Sequence, residues 1–256
     1  MLMKFFRREN PIALCIYAIY TWLVVVPLLI LSTIFFVSLG VVIVLFSDDT
    51  VANRTTGVWW ARFNSFVTPM HVMVLGREHV KPGQSYVVVS NHQSSYDIFV
   101  LYGWLGIDIK WVMKKELRKV PVFGFAGKMG GNVYIDRSSP ASAYTSLQEA
   151  KKKLAAGTSV IILAEGTRSK TGEIGPFKKG AFVLATDLGM PILPISISGT
   201  RSILPPKTLK LFPGHVVMEI HKPIPVSPQD RGRIDKLMEQ TRELIKSGYE
   251  RNLSLV

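Results

Sequence analysis

His92 and Asp97, five positions apart, are the side chains in this sequence best suited to acid–base chemistry. They follow residues 86–90, a β-branched run that predicts a buried strand. Residues 96–107, an apolar segment that predicts a helix, begin just before Asp97. The pair therefore lies at a strand-to-helix turn, where α/β folds commonly place their functional groups.

The spacing of the pair limits its geometry. Five steps of about 100° leave two side chains roughly 140° apart on a regular helix, so the pair cannot share one helical face. If the helix begins at one of the serines just before Asp97, the His92 imidazole lies outside it and can fold back towards the carboxylate. Such a pair would act as a general base: the carboxylate accepts the Nδ1 proton, and Nε2 takes a proton from an attacking hydroxyl.

The same residues also fit a capping role. Ser94 and Asp97 have the spacing of a capping box, with the serine as N-cap and the aspartate as the third residue of the helix. His92 would then be an ordinary turn residue. Spacing alone leaves both interpretations open, and the residues downstream favour the catalytic one.

Three cations each follow a predicted strand: Lys114, Arg137 and Arg168. In an open parallel sheet, groups just past the carboxyl ends of the strands converge on one crevice, and His92 belongs to the same edge. Taken alone, each cation could be an ordinary surface charge. Together they predict an anion-binding cluster beside the base.

Gly166 and Thr167, directly before Arg168, add backbone N–H groups to this cluster. A guanidinium fork suits phosphate oxygens better than a point charge does. A base beside such a cluster suggests a hydroxyl nucleophile on a phosphorylated substrate.

The composition limits the classes of partner that this protein is expected to bind. Lys and Arg number 31 against 18 Asp and Glu, a formal net charge of +13, which favours nucleic acid, a membrane surface or a phosphorylated substrate. The single Cys15 excludes an internal disulfide and a cysteine-rich metal site. The glycine patterns match neither a dinucleotide fingerprint nor a Walker A loop, and no G-x-S-x-G motif is present.

The N-terminus favours the membrane over nucleic acid. Residues 12–46 contain no charged side chain, well beyond the roughly 18 apolar residues that mark a membrane segment. A straight helix of that length would measure about 52 Å, against a hydrocarbon core of about 30 Å, and Pro27 would break it. We therefore predict two apolar helices meeting near Pro27. A single tilted span is the alternative.

Basic residues flank both ends of this apolar segment, which favours a hairpin with both ends in the cytoplasm; they are Lys4, Arg7, Arg8, Arg54 and Arg62. Beyond it, strands alternate with helices, which predicts an α/β fold with a largely parallel sheet flanked by helices. The predicted organisation is an N-terminal membrane anchor over residues 1–57 and an α/β domain over residues 58–256. The predicted strands are residues 72–75, 86–90, 109–113, 132–137, 158–164, 191–198 and 215–220, and the later helices are 140–157, 177–188 and 227–249.

Four motifs carry a resemblance to a known family. They are Asn91-His92-x-x-x-x-Asp97, Gly131-x-x-Tyr134-Ile135-Asp136-Arg137, Glu165-Gly166-Thr167-Arg168-Ser169 and Pro191-Ile192-Leu193-Pro194-Ile195. In this order they resemble the four motifs of the glycerolipid acyltransferases, and most of all those of the 1-acylglycerol-3-phosphate O-acyltransferases. The likeness covers roughly residues 60–225. The first and third motifs are specific together, whereas the second and fourth are loose.

The resemblance implies acyl transfer from acyl-CoA or acyl-carrier protein to the sn-2 hydroxyl of lysophosphatidic acid, giving phosphatidic acid. His92 would be the base and Asp97 its orienting partner. The implied substrate-binding residues are Lys114, Arg137, Glu165, Gly166, Thr167 and Arg168. The resemblance implies no metal and no cofactor other than the acyl donor. It also implies the inner (cytoplasmic) membrane, with the catalytic domain facing the cytoplasm.

Other functions remain open at this point. One is a membrane-tethered module that binds anionic lipid headgroups without chemistry. Another is a serine acyl-enzyme that uses Ser94 or Ser95. Within the family, the acceptor could be a lyso-ornithine lipid or a lysophospholipid instead. Nucleic-acid binding is the weakest alternative, because it gives the apolar N-terminus no role.

Overall fold

The computed structural model describes residues 11–120, 124–125, 127, 130–136, 138–139, 141–142, 145–146 and 158–256, with the backbone alone for Lys114. Its principal helices are α1 (Pro11–Phe46), α2 (Val58–Val67), α3 (Asp97–Trp104), α4 (Gly180–Leu188), α5 (Thr200–Ile203) and α6 (Ile234–Asn252). Shorter helical turns lie at Asp49–Ala52, Asn53–Gly57, Arg77–His79, Lys115–Lys119, Pro228–Arg233 and Leu253–Leu255. The strands are β1 (Met70–Leu75), β2 (Val87–Ser90), β3 (Ile109–Lys114), β4 (Val133–Ile135), β5 (Ser159–Leu163), β6 (Ile192–Ser198) and β7 (Gly214–Ile220).

The N-terminal apolar segment forms one continuous helix, α1, of 36 residues. The predicted break near Pro27 is therefore wrong. The turn Thr21–Val25 is π-helical, and the Val26 N–H bonds to the Thr21 carbonyl oxygen. This wider turn directly precedes Pro27, whose missing N–H and bulky ring would disrupt a regular α-helix. The helix passes the proline by widening one turn.

Helix α1 is long and apolar enough to cross a membrane by length and composition. At 1.5 Å per residue it measures about 54 Å. Its most apolar stretch has a mean hydropathy of 2.9, and only 11% of that stretch is buried. Most of the helix surface is therefore apolar and uncovered by the rest of the chain that the structure describes.

One side of α1 packs on α2. The Tyr20 hydroxyl donates to the Val67 carbonyl oxygen over 2.6 Å, and the Trp60 indole N–H donates to the Thr33 hydroxyl over 3.0 Å. The predicted domain boundary after residue 57 falls between a helical turn and α2. The anchor and the α/β domain thus share a packed helix interface.

The sheet has the strand order β1-β7-β6-β2-β5-β3-β4. Strands β6, β2, β5, β3 and β4 are parallel, β7 is antiparallel to β6, and β1 is parallel to β7. The predicted α/β class with a largely parallel sheet is confirmed. All seven predicted strands form, with ends that differ by up to two residues. The helix predicted over residues 140–157 lies largely outside the described residues.

Both faces of the sheet are buried, which explains why its strands are continuous apolar runs. Successive residues of β2 alternate between two cores, because side chains of a strand point to opposite faces. Val88 packs with α3 on one face, whereas Val87 and Val89 pack with α4 and α6 on the other.

The strand order fixes which loops meet. Ser90, the last residue of β2, is in register with Leu163 of β5 and with Ile195 of β6. The loops that follow β2 and β5 therefore leave the sheet side by side. The loop after β6 lies on the opposite flank of the β2 loop.

Candidate active site

The His92 imidazole and the Asp97 carboxylate are in contact, with Nδ1 2.8 Å from Oδ2. Helix α3 begins at Asp97, so His92 lies outside it, in the loop, as the general-base geometry requires. An ionised carboxylate can only accept, so Nδ1 carries the proton and Nε2 keeps its lone pair. The histidine side chain is 15% exposed and the aspartate is fully buried. This arrangement can take a proton from a hydroxyl presented to Nε2.

Asp97 accepts hydrogen bonds at both carboxylate oxygens. The backbone N–H groups of Gln93 and Ser94 donate to Oδ2 over 2.8 and 3.0 Å, in addition to His92. Thr200 donates its hydroxyl to Oδ1 over 2.5 Å. Four donors match the roughly four lone-pair positions of a carboxylate. The position at the start of α3 also favours a negative charge, because the helix dipole is positive there.

Only one of the two hydrogen bonds of the predicted capping box forms. Asp97 accepts from the Ser94 N–H, as a capping box requires, but the Ser94 hydroxyl donates to the Leu204 carbonyl oxygen over 2.8 Å. Asp97 therefore caps the turn and orients the imidazole at once. Ser94 is fully buried and committed to Leu204, which leaves it poorly placed as a nucleophile.

Residues at the end of β6 and just after it hold the His92 loop in place, and the sequence gives no sign of these contacts. The Asn91 side chain exchanges two hydrogen bonds of 2.9 Å with the backbone of Ile197. Thr200, fully buried, binds Asp97 across 103 positions of sequence. No local pattern reveals such a contact. Only the neighbouring positions of β2 and β6 in the sheet could have indicated it.

Thr200→Val tests whether this hydroxyl positions Asp97. We expect kcat for the acyl transfer predicted from the sequence to fall by roughly tenfold, equivalent to about 1.4 kcal/mol, with little change in the KM of either substrate. The reason is that valine keeps the shape of threonine but leaves Oδ1 without a donor. Thr200→Ser restores the hydroxyl and should recover most of the rate. Equal losses in both variants would mean that Thr200 serves packing alone.

Glu165 connects the loops that follow β2 and β5. Its Oε1 accepts the His92 N–H over 2.8 Å, and its Oε2 accepts the Gly175 N–H over 3.1 Å. Burial raises the pKa of the Glu165 carboxyl, and these two N–H donors act in the opposite direction. Both oxygens of this predicted substrate-binding residue are thus occupied by backbone groups of the chain. Glu165 shapes the site by fixing the backbone of His92.

Arg168 lies beside the His92 loop. Its guanidinium donates to the Ser95 hydroxyl over 2.9 Å, and the Ser169 N–H donates to the His92 carbonyl oxygen over 2.9 Å. Arg168 and Thr167 are exposed, and Gly166 takes a left-handed backbone conformation with φ of 74°. An exposed guanidinium held this close to the base can bind an anionic group of a substrate.

The structure does not bring all the predicted cations to this point. Arg137 lies outside the described residues, and only the backbone of Lys114 is described, at the end of β3. The neighbouring Lys115 pairs with Asp136 over 3.1 Å, and its side chain is 64% exposed. Arg168 is therefore the predicted phosphate ligand whose side chain the structure places next to the base.

His92 opens onto a cavity of about 390 Å³ between α1 and the sheet. This volume falls within the range of small-molecule sites, and the walls are mostly apolar. α1 contributes Thr33, Phe36, Val37, Gly40, Val41 and Val44; the sheet side and its loops contribute residues that include His92, Trp111, Met113, Leu117, Leu163 and Gly166. The sequence analysis did not predict this cavity, because its walls come from segments far apart in the chain.

The α/β sheet with a histidine–aspartate pair after its second strand corresponds to an acyltransferase. The family model described as Acyltransferase matches residues 71–198, and the chain belongs to this family. The resemblance drawn from the four motifs is thereby confirmed.

Known proteins support this assignment. A chloroplastic 1-acyl-sn-glycerol-3-phosphate acyltransferase of Brassica napus is 42% identical over 145 residues, which are 56% of this chain and 42% of that protein. The alpha form from Homo sapiens is 32% identical over 174 residues, 68% of this chain and 62% of that protein. The crystal structure of PlsC, the 1-acyl-sn-glycerophosphate acyltransferase of Thermotoga maritima, is 27% identical, with a TM-score of 0.75. The matched region covers 94% of this chain and 96% of the PlsC chain.

The matches cover unequal parts of the relatives. The chain spans between 40% and 63% of the length of the curated relatives of this name. The solved structure, by contrast, is matched over nearly its whole length.

Proposed function

We propose that this protein transfers a fatty acyl group to the sn-2 hydroxyl of 1-acyl-glycerol-3-phosphate and forms phosphatidic acid. The observation that carries the proposal is the contact between His92 and Asp97 at an apolar cavity, with Arg168 beside it. The relatives are 1-acyl-sn-glycerol-3-phosphate acyltransferases by name, which supports the same acceptor. Acyl-CoA and acyl-carrier protein are both proposed donors.

The proposed step is one displacement at a thioester. The acceptor hydroxyl gives its proton to His92 Nε2 while its oxygen attacks the thioester carbonyl carbon. The C–O ester bond forms, the C–S bond breaks, and the imidazolium returns the proton to the leaving thiolate. Asp97, ion-paired to Nδ1, stabilises the imidazolium in between.

The surroundings of His92 suit the two ends of the substrates. The apolar cavity can bury a fatty acyl chain, which is favourable by about 0.8 kcal/mol for each CH₂ group removed from water. Arg168 can hold the phosphate of the acceptor, because a guanidinium donates two parallel hydrogen bonds to phosphate oxygens. We propose the same role for Lys114 and Arg137, with the Gly166 and Thr167 backbone beside them.

The experiment that tests this function is a transfer assay with the purified full-length protein in detergent. One labelled acyl-CoA is offered to lysophosphatidic acid, to the matching monoacylglycerol, to lyso-ornithine lipid and to lysophospholipids. We expect the highest kcat/KM for lysophosphatidic acid. If the protein preferred another lyso-lipid, that lipid would be the acceptor instead of lysophosphatidic acid. If no lipid accepted the acyl group, a module that only binds lipid would be favoured. A trapped acyl-serine would point to a serine nucleophile instead.

The contacts of α1 support a membrane position for the protein. The helix touches the rest of the chain near both its ends: the Tyr17 and Phe212 rings lie 5.5 Å apart, and Val44 lines the cavity. A helix that crossed the bilayer upright would carry this attached domain into the hydrocarbon. We therefore propose that α1 lies in the cytoplasmic leaflet of the inner membrane, with both ends and the catalytic domain on the cytoplasmic side. The large side chains it exposes include Trp22, Leu23, Ile30, Leu31, Phe35 and Leu45.

Cysteine labelling tests this orientation. Cysteines introduced at Met3 and Ser47 in a Cys15→Ser variant should both resist a membrane-impermeant thiol reagent in intact cells. The reason is that acyl-CoA and acyl-carrier protein are cytoplasmic donors, so His92 must face the cytoplasm. Permeabilised cells provide the control, in which both positions should react. Labelling of Ser47→Cys alone in intact cells would mean a single crossing and would contradict the orientation.

A further inference from the structure

The turn Lys115–Lys119, directly after β3, carries apolar side chains that remain partly exposed to solvent. It is a 3₁₀-helix, in which residues three apart lie on the same face. The Val120 N–H bonds to the Leu117 carbonyl oxygen, so Val120 continues this turn. Leu117 and Val120 therefore share one face, and they are 38% and 44% exposed. Phe125, a little further along, is 53% exposed.

This apolar edge, formed by Leu117, Val120 and Phe125, lies next to the C-terminal half of α1. Leu117 lines the same cavity as Val41 and Val44 of α1. On its outer side this part of α1 is equally apolar, with Leu45 72% exposed and Phe46 88% exposed.

Two polar contacts fix this proximity. The Asn53 side chain, just after α1, donates to the Gly130 carbonyl oxygen over 3.0 Å. The buried Lys110 of β3 pairs with Asp49 over 3.1 Å. These contacts hold the segment after α1 against β3 and the residues before β4, and Leu117 of the apolar edge lines the cavity together with α1.

The charged side chains of the same turn lie on faces other than the one that carries Leu117 and Val120. Lys115 and Arg118 share a second face, and Glu116 and Lys119 share the third. Lys115 pairs with Asp136, and Arg118 and Lys119 are two further exposed cations beside Leu117 and Val120. Apolar side chains flanked by long basic ones suit the boundary between lipid headgroups and acyl chains. Such cations are attracted to an anionic lipid surface.

We propose that the apolar edge is a second membrane contact, which enters an anionic lipid surface beside α1. The proposal rests on the membrane position of α1 argued above. The cavity opening then lies between two elements that both touch lipid. A lyso-lipid acceptor enters it from the bilayer, and its acyl chain need not cross water to reach His92.

Site-specific fluorescence measures this contact. Single cysteines replace Val120, Leu117, Leu45 or Leu255 in the full-length Cys15→Ser variant, and each carries an environment-sensitive fluorophore. The vesicles contain phosphatidylglycerol and phosphatidylethanolamine, with or without brominated acyl chains. Leu45 reports insertion of α1. Leu255, 53% exposed in the turn after α6, is the matched apolar control, because α6 packs on the face of the sheet opposite α3.

We expect a blue shift and bromine quenching at Val120→Cys, Leu117→Cys and Leu45→Cys, and neither at Leu255→Cys. Quenching at Leu45 without quenching at Val120 and Leu117 would overturn the second contact and leave the α1 anchor standing. No quenching at Leu45 would overturn the membrane position of α1 and this inference with it. Neither outcome touches the chemistry at His92, which the transfer assay tests separately.

The charge on the turn has its own test. Arg118→Glu combined with Lys119→Glu should weaken quenching at Val120→Cys at least severalfold in vesicles containing phosphatidylglycerol. The charge-matched control replaces Lys210 and Lys222, exposed elsewhere, with glutamate and should leave quenching unchanged. Unaltered melting temperatures show that the variants are folded. Equal quenching in both double variants would mean that anionic lipid is not the partner.

Discussion

Replacement of His92 by alanine should lower kcat for acyl transfer by roughly 10²–10⁴-fold, the usual contribution of a general base. The imidazole is the base that the structure places at the cavity, with Nε2 available and Nδ1 held by Asp97. The measurement is the initial rate with purified protein, saturating acyl-CoA and lysophosphatidic acid. KM values should change much less than kcat, because alanine removes the proton acceptor and leaves the binding surfaces.

The matched control is His71→Ala. His71 is exposed on the edge strand β1, where its ring stacks on His215 at 5.3 Å, and it has no contact with the site. Its removal should leave the rate unchanged. A folded His92→Ala protein with near wild-type turnover would falsify the proposed mechanism.

Asp97→Asn extends the same prediction. The amide keeps the shape of the carboxylate but cannot fix the tautomer or stabilise imidazolium, and loss of such a carboxylate in a serine-protease triad costs about 10⁴-fold. We expect only a small residual rate. Because Asp97 also accepts the Gln93 and Ser94 N–H groups, the melting temperature should fall as well. A lower melting temperature with an unchanged rate would leave Asp97 only its capping role.

Arg168→Ala carries the second large effect, expected in the KM of lysophosphatidic acid. A hydrogen bond to a charged group is worth about 1.5–3 kcal/mol, which corresponds to roughly 10- to 150-fold in KM. Arg168 is exposed, so solvent screening places the expected value towards the lower end. The KM of the acyl donor should change little. Transfer to monoacylglycerol, which lacks the phosphate, should be unaffected.

The control for Arg168 is Arg233→Ala. This change removes another exposed guanidinium, which lies far from Arg168 in the chain and pairs with Asp230. It should change neither KM. If Arg168→Ala raised the KM of donor and acceptor alike, the guanidinium would bind the phosphates of CoA or support folding. The acceptor site would then have to be sought at Lys114 and Arg137.

The sequence predicted the features that depend on local patterns. Strand β2 and helix α3 follow from the β-branched run and the apolar segment on either side of the His92 loop, and the pair itself follows from their junction. The error at Pro27 arose because a proline can be accommodated by one widened turn, which composition does not reveal.

Contacts between residues far apart in the chain could not be predicted from the sequence. The resemblance of the third motif implied that Glu165 belongs to the substrate site, but it did not indicate that the Glu165 oxygens bind the backbone of His92 and Gly175. Thr200 carries no motif of its own, and its contact with Asp97 depends on the pairing of β2 with β6. Sequence alone does not give the neighbours of a strand in a sheet, so it could not place either residue.

The order of strands in the sheet also determines when during synthesis the protein becomes active. The first partner of β2 along the chain is β5, more than sixty residues later, and β6, which leads to Thr200, comes later still. Parallel pairs so distant in sequence close slowly, because loop entropy must be overcome before their contacts form. A nascent chain whose helix α1 has already left the ribosome therefore still lacks Thr200, the one donor to Asp97 that lies far along the chain. Under the proposed function, such a chain could reach lipid through α1 before its His92–Asp97 pair is fully positioned.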